Sequence, residues 1–311
     1  MSAASQTEGS PSSKRPAGLA SAAVGYGLVA GAAAAWGTWP LVLRTAERIA
    51  PMSAAFESSI LMAVILLTSG PLALRDRVAR RATAGEWLGV AWLGVGDALN
   101  AFFFFKAYQR TSVAIAVLTH YLTPLFVALG APLLLRERLS GRTYVAAAIG
   151  FGGLVLLLEP WNAGSHPTDL SGALFGATSA VFYASNVLFT KRLVRAFSGS
   201  EQMFFHCFVA LPLLAVMVPH GEWRAFNPHA AGVVALGSLG PGALASLFFV
   251  WGLRRVPASR ASTLTLLEPL VAVLIGVGVY GESLGVHGLF GGALILAGAA
   301  LVISKGSSSV E

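Results

Sequence analysis

The stretch Leu122 to Leu139, LTPLFVALGAPLLLRERL, returns at Leu267 to Leu284 as LEPLVAVLIGVGVYGESL. The two copies stand 145 residues apart, with Pro124 on Pro269 and Glu137 on Glu282. At the same offset and without gaps, Phe103 and Phe104 fall on Phe248 and Phe249, Arg110 on Arg255, Gly153 on Gly298 and Gly31 on Gly176. Matches at one offset along most of a chain mark an internal repeat. Both copies lie in runs long and apolar enough to cross a bilayer, so the repeating unit is a set of membrane helices.

Composition agrees. The 311 residues are 55% hydrophobic and 11% charged, with a mean hydropathy of +0.71, where soluble domains carry about 25% charged residues. At about 20 apolar residues per crossing, the runs predict ten helices. They span 18–43, 52–74, 85–106, 111–135 and 141–158, then 168–190, 200–219, 228–253, 257–280 and 284–304. The chain therefore reads as an all-α membrane protein. A disordered tail, 1–17, precedes a first five-helix repeat, 18–158; a second, 168–304, precedes a tail, 305–311. The first run is too long for a signal-peptide core and lacks a small-residue cleavage site.

The formal charge of +7 would suggest nucleic acid in a soluble protein, but here Lys and Arg cluster in short segments between apolar runs. That is the pattern of cytoplasmic loops, so no nucleic-acid partner is expected. With the N-terminus in the cytoplasm, 16 of the 21 basic residues lie on that side, leaving Arg44, Arg48, Lys106, Arg110 and Arg224 opposite. Both termini are expected inside. Five crossings per half is an odd number, so the second copy enters from the other face. Inverted repeats enclosing a shared midplane site are a transporter signature.

Chemistry-bearing motifs are sparse. The single cysteine, Cys207, lies in an apolar run and excludes an intrachain disulfide or a cysteine metal cluster. There is no HExxH, GxSxG, GxxxxGK[ST] or aspartate-rich cluster, so neither an enzyme nor a cofactor or metal is expected. The partners expected are the lipid bilayer and a small cargo, with the protein acting as a monomer.

The proline of the fourth and ninth helices, followed by an apolar run ending in Glu137-Arg138-Leu139 and Glu282-Ser283-Leu284, resembles the EamA-like exporters of the drug/metabolite transporter superfamily. So do the glycine-bearing last helices of the halves, AAAIGFGGLVLL and GGALILAGAALVI. More narrowly, His120 to Pro124, HYLTP, is similar to a stretch of the YddG-type aromatic amino-acid exporters of the bacterial inner membrane. The resemblance implies a central cavity lined by the first, third, fourth, sixth, eighth and ninth helices. It places the second and seventh at the periphery and makes the fifth and tenth a supporting layer.

Several polar or aromatic residues sit where lipid would penalise them. Pro124 and Pro269 lack an N–H and leave the carbonyls of His120 and Thr265 without their usual partners, which makes both prolines candidate hinges. His120 and Tyr121 precede the first break. In the first helix Trp36, Trp39 and Pro40 share a face; Trp39 lies near the helix end and reads equally as a belt residue. Ser179, Tyr183 and Asn186 form a polar face on the sixth helix. On the third, Asp97 and Asn100 lead to Phe103 or Phe104 at helical spacing, and Phe103 is taken as the lining residue. Asp97 is an intramembrane carboxylate with three readings: holder of a cargo amine, carrier of a coupling proton, or partner of an Asn or Tyr. Glu57 and Glu268 are the other acidic groups well inside predicted helices. Trp251 is assigned to cargo contact or to an interfacial anchor, Glu137 and Glu282 to loop or gate stabilisation. The whole predicts a secondary transporter exporting amino acids with aromatic or apolar side chains, or related small metabolites, with a multidrug exporter of lipophilic cations and a passive facilitator as the alternatives. No Lys or Arg lies deep in a predicted helix, which disfavours phosphorylated cargo.

Overall fold

A computed structural model describes residues 17–78, 81–162 and 169–304. The predicted tails lie outside these, save Ala17, which opens a helix; Lys14, Arg15, Arg80 and Lys305 lie outside as well. Among the described residues the chain is helical throughout, with ten spans long and apolar enough to cross a membrane. They are α1 (Ser21–Glu47), α2 (Ala54–Arg75), α3 (Ala84–Ala107), α4 (Val113–Leu135), α5 (Gly141–Asn162), α6 (Asp169–Leu193), α7 (Gly199–Met217), α8 (Pro228–Leu253), α9 (Ala258–Tyr280) and α10 (Val286–Ile303). The described connections are too short to recross a bilayer as helix, so successive spans alternate in direction and the two halves run in opposite senses.

The packing has the exchange symmetry that two related halves demand. α2 packs on α7 and α5 on α10, each span against its own counterpart. α1 packs on α8 and α9, and in the mirror arrangement α6 packs on α3 and α4. Glycines set the closeness of these contacts. A Cβ on Gly153 of α5 would lie 2.6 Å from the Gly291 carbonyl of α10, and one on Gly298 would lie 2.9 Å from the Ala146 carbonyl. With no hydrophobic force between helices in lipid, such backbone approach is what binds α5 to α10.

Caps repeat as well. Ser53 accepts from the Phe56 N–H and Ser198, its counterpart, from the Glu201 N–H. Spans α4 and α9 end on left-handed residues at matching positions, Arg136 (φ 56°) and Gly281 (φ 70°). Only the second is free of a Cβ penalty. Each reversal places the following glutamate, Glu137 or Glu282, back beside its own helix end, with N–H bonds to Ala131 and Gly276.

Four spans are interrupted. α4 breaks at Tyr121 and Leu122, α9 at Thr265 and Leu266, one residue earlier in the repeat register, each just before its proline. The Thr123 hydroxyl donates to the stranded His120 carbonyl at 2.7 Å, and the Glu268 N–H to that of Thr265 at 3.0 Å. α1, expected to be continuous, breaks at Gly37 and Thr38 before Pro40. α8 carries a π-helical segment, Ser238–Leu244, around Pro241. A π segment absorbs a proline by passing over the bond that it cannot make. The counterparts of these last two breaks, in α6 and α3, are regular helix.

Candidate functional site

Three cavities with shared walls run through the middle of the bundle. The largest, about 580 Å³, extends from Trp36, His120, Tyr121 and Glu268 to Arg44, Val113, Tyr280 and Glu282. A second, about 290 Å³, adds Asp97, Asn100 and Tyr183. The third, about 240 Å³, reaches Asn186, Thr190, Met203 and His206. Pockets of such size, largely apolar with a few convergent polar groups, suit small-molecule binding.

The chain of cavities opens at one end. There Val113 is 62% exposed, and Arg44 Nη2 pairs with Glu282 Oε1 at 2.8 Å with both side chains about half exposed. The Arg44 guanidinium lies over the Tyr280 ring, and the Tyr280 hydroxyl donates to the Pro40 carbonyl. The other end is shut. Leu253, Val256, Ala258 and Ser259 are buried; Lys191 Nζ donates to the Leu253 and Val256 carbonyls at 2.6 and 2.7 Å. Glu137 accepts from the Ala258 N–H at 2.9 Å, capping α9.

Two polar groups occupy the interior. In the first, the Ser179 hydroxyl donates to Asn100 Oδ1 at 2.8 Å, so the 2.8 Å contact with His120 Nδ1 has the ring as donor. That assigns the Nδ1–H tautomer to His120 and leaves Nε2 an acceptor. The ring stacks on Tyr183, with centroids 5.4 Å apart and planes 10° apart, and lies 4.3 Å from Phe104. Across the cavity Tyr121 hydrogen-bonds Glu268. In the second group, the Asn186 side-chain N–H groups donate to Asp97 Oδ1 and to the Leu93 carbonyl. His206 Nε2 lies 3.0 Å from Asp97 Oδ2.

Two glycines on α3 position this second group. A Cβ on Gly94 would come 2.5 Å from the His206 carbonyl, and one on Gly96 would overlap Asn186 Oδ1. The run Gly94-Val95-Gly96-Asp97 thus lets α3 meet α7 on one side and α6 on the other, with the carboxylate at the junction.

Among the sequence candidates, Trp36, Trp39, Asp97, Asn100, His120, Tyr121, Tyr183 and Asn186 line these cavities. Pro124 and Pro269 sit at the breaks, and Pro269 lines the largest cavity. Phe103 and Trp251 are not among the lining residues. Phe103 is stacked between Phe175 and Phe182 of α6. On α3 the lining phenylalanines are Phe104 and Phe105; Phe104, seven residues after Asp97, returns to within about 20° of it around the helix. Trp251 packs on Phe248 and against Gly199 at the start of α7.

The second and seventh helices are also nearer the site than the resemblance implied, for Glu57, Ser58, Leu61 and Met62 of α2 and Met203, His206 and Leu214 of α7 line it. His206 escaped the sequence reading. Its run, MFFHCF, is otherwise apolar, and its partner Asp97 is distant in sequence. Gate stabilisation by Glu137 and Glu282 has a counterpart in the two contacts at opposite ends.

A model of the EamA-like transporter family matches residues 23–159 and 170–304. An uncharacterized transporter of Archaeoglobus fulgidus is 31% identical over 211 residues, 66% of this chain and 73% of that protein. The aromatic amino acid exporter YddG of Ancylobacter novellus is 29% identical over 179 residues, 56% of this chain and 61% of that one. A riboflavin transporter of Vibrio cholerae is 29% identical over 117 residues, 37% of each chain. A protein crystal structure superposes with a TM-score of 0.73 at 23% identity, covering 91% of this chain and 98% of that one, which bears on the fold alone.

Proposed function

The chain belongs to the EamA-like transporter family, within the drug/metabolite transporter superfamily, and on that premise we propose that it exports amino acids with aromatic or other apolar side chains by alternating access. The observation that carries the reading is the composition of the cavity wall. Large rings, Trp36, Trp39, Phe104 and Tyr183, face a small set of polar groups at its inner end. The rings supply apolar area for a side chain. Asp97, 28% exposed to the cavity, is placed for the cargo ammonium. Asn100 accepts from Ser179 through its oxygen and keeps its amide N–H groups for the cargo carboxylate.

The positive-inside pattern assigns the shut end, with Lys191, Arg254 and Arg260, to the cytoplasm and the open end to the outside of a bacterial inner membrane. Both termini are then cytoplasmic. Each chain encloses its own cavity, so the monomer is the working unit. A specific observation favours a second cargo, a lipophilic cation: the carboxylates of Asp97 and Glu268 share a cavity wall with aromatic rings and no Lys or Arg. Such surroundings attract cations through both charge and ring faces.

Uptake of labelled phenylalanine into proteoliposomes, with other amino acids or tetraphenylphosphonium as competitors, separates the two. The expected result is competition by tryptophan and tyrosine, and about a tenfold or greater loss of flux in Trp36→Ala, as for about 1.4 kcal/mol or more of lost ring contact. Inhibition by the cation alone, or wild-type flux in Trp36→Ala, would contradict the assignment.

A further inference from the structure

His206 is wholly buried, and both of its ring nitrogens face acceptors. Nδ1 lies 2.9 Å from the Gln202 carbonyl, which has no hydrogen to give, so Nδ1 carries a proton. Nε2 lies 3.0 Å from Asp97 Oδ2. The other Asp97 oxygen is already held by an Asn186 N–H. A neutral ring with its hydrogen on Nδ1 would turn a bare lone pair toward the carboxylate. The contact closes only with a hydrogen between Nε2 and Oδ2: on the ring it makes an imidazolium–carboxylate pair, on the carboxyl a neutral pair, and the Asn186 N–H already held by Oδ1 favours the ionised carboxylate.

We propose that Asp97 and His206 form a proton-exchange site at the inner end of the cavity, in which the imidazolium of His206 and the ammonium of an amino-acid cargo take turns on the Asp97 carboxylate. This inference rests on the amino-acid reading above. When the ammonium arrives at Asp97, the Nε2–H bond of His206 breaks and its proton passes to cavity water. The bonding pair stays on Nε2, and the ring remains on the Gln202 carbonyl through Nδ1–H. When cargo leaves, water in the cavity returns a proton to Nε2. One positive charge faces the carboxylate in each state, so the buried site never carries a lone anion, which lipid surroundings would penalise severely. Cargo leaving on one side and a proton entering from it make export an exchange, driven by the proton gradient.

The neighbours permit this. From α6 the site is faced by Tyr183 and by Asn186, and from α7 itself by Cys207, whose sulfur lies 3.9–4.0 Å from the ring and bonds the Met203 carbonyl. From α9, Glu268 shares the adjoining cavity. α2 and α8 contribute Met62, Ile65, Ser246 and Phe249, none of them charged. Histidine 120, whose Nδ1–H is engaged by Ser179, belongs to the other polar group.

The test uses the full-length protein in nanodiscs with 15N-labelled histidine, the His206 signals being those lost in His206→Gln. The expectation is two protonated ring nitrogens at neutral pH, reverting to a neutral Nδ1–H ring on saturation with phenylalanine and in Asp97→Asn. In proteoliposomes, an imposed pH gradient should drive phenylalanine accumulation by the wild type, and His206→Gln, with its thermal midpoint showing that it is folded, should lose that accumulation. A neutral His206 ring in the unliganded wild type, or gradient-driven accumulation undiminished in His206→Gln, would overturn the proposal. An Asp97-dependent imidazolium in a protein that exchanges no amino acid would support the proton site and overturn the cargo assignment instead.

Discussion

Ser179 shows what one small side chain does in a bundle held in lipid. Its hydroxyl is fully buried and joins three spans, accepting from His120 of α4 and donating to Asn100 of α3 from its own place on α6. Ser179→Ala takes from a buried imidazole N–H its acceptor and from a buried amide oxygen its donor, a loss of about 1–3 kcal/mol. The expected outcome is a lower thermal midpoint in detergent and weaker phenylalanine exchange, both recovered in part by Ser179→Thr; an unchanged midpoint would count against the link. Ser179, Tyr183, Asn186, Asp97 and Asn100 were legible in the sequence because each is costly in lipid and they recur at helical spacing. Phe103 was misplaced for the opposite reason. In a run of four phenylalanines, Phe102 to Phe105, hydropathy carries no phase, and an error of one residue turns the ring about 100° out of the cavity. His206 was illegible because its meaning lies in Asp97, Gln202 and the gap made by Gly94, a tertiary arrangement without a local pattern.

At the scale of elements, the ten spans follow from hydropathy and their ends from serine caps and the left-handed residues Arg136 and Gly281. The interruptions were less visible. Those of α4 and α9 were foreseeable from Pro124 and Pro269, whereas the break in α1 also needs Gly37, whose missing side chain admits the Glu268 carbonyl and Val271 of α9. The glycine crossing of α5 and α10 makes a sharper prediction because adjacent residues face opposite surroundings. A Cβ on Gly153 meets backbone of α10 at 2.6–2.9 Å, whereas one on Gly152 meets nothing within 4 Å. Gly153→Ala should therefore lower the thermal midpoint as overpacking does, by about 1–3 kcal/mol, while Gly152→Ala leaves it unchanged. Equal midpoints for the two variants would show that α5 and α10 do not touch along this face.

At the scale of the molecule, the two halves treat matched glutamates differently. Glu137 caps α9 at Ala258 on the shut side. Its counterpart, Glu282, does not cap α4 at Val113, the counterpart of Ala258, but pairs with Arg44 across an open mouth that Val113 also lines. The alternating access proposed above calls for a second state with the roles of the two halves exchanged, in which Glu282 would cap α4 and shut the mouth while Glu137 would leave Ala258 and open the other end. Five spans per half made the inversion legible in the sequence, and the exchange-symmetric packing agrees with it; which end stands open was not legible, since matched residues carry both alternatives equally.

Impermeant maleimide labelling of cysteines placed at Val113 and Ala258, in vesicles of each orientation, tests the inversion directly, and the fully buried Cys207 leaves little background. The account predicts that Val113→Cys reacts at rest from one face of the membrane only. Ala258→Cys should react only from the opposite face, and only while an amino-acid gradient drives turnover. Labelling of both positions from the same face would contradict it.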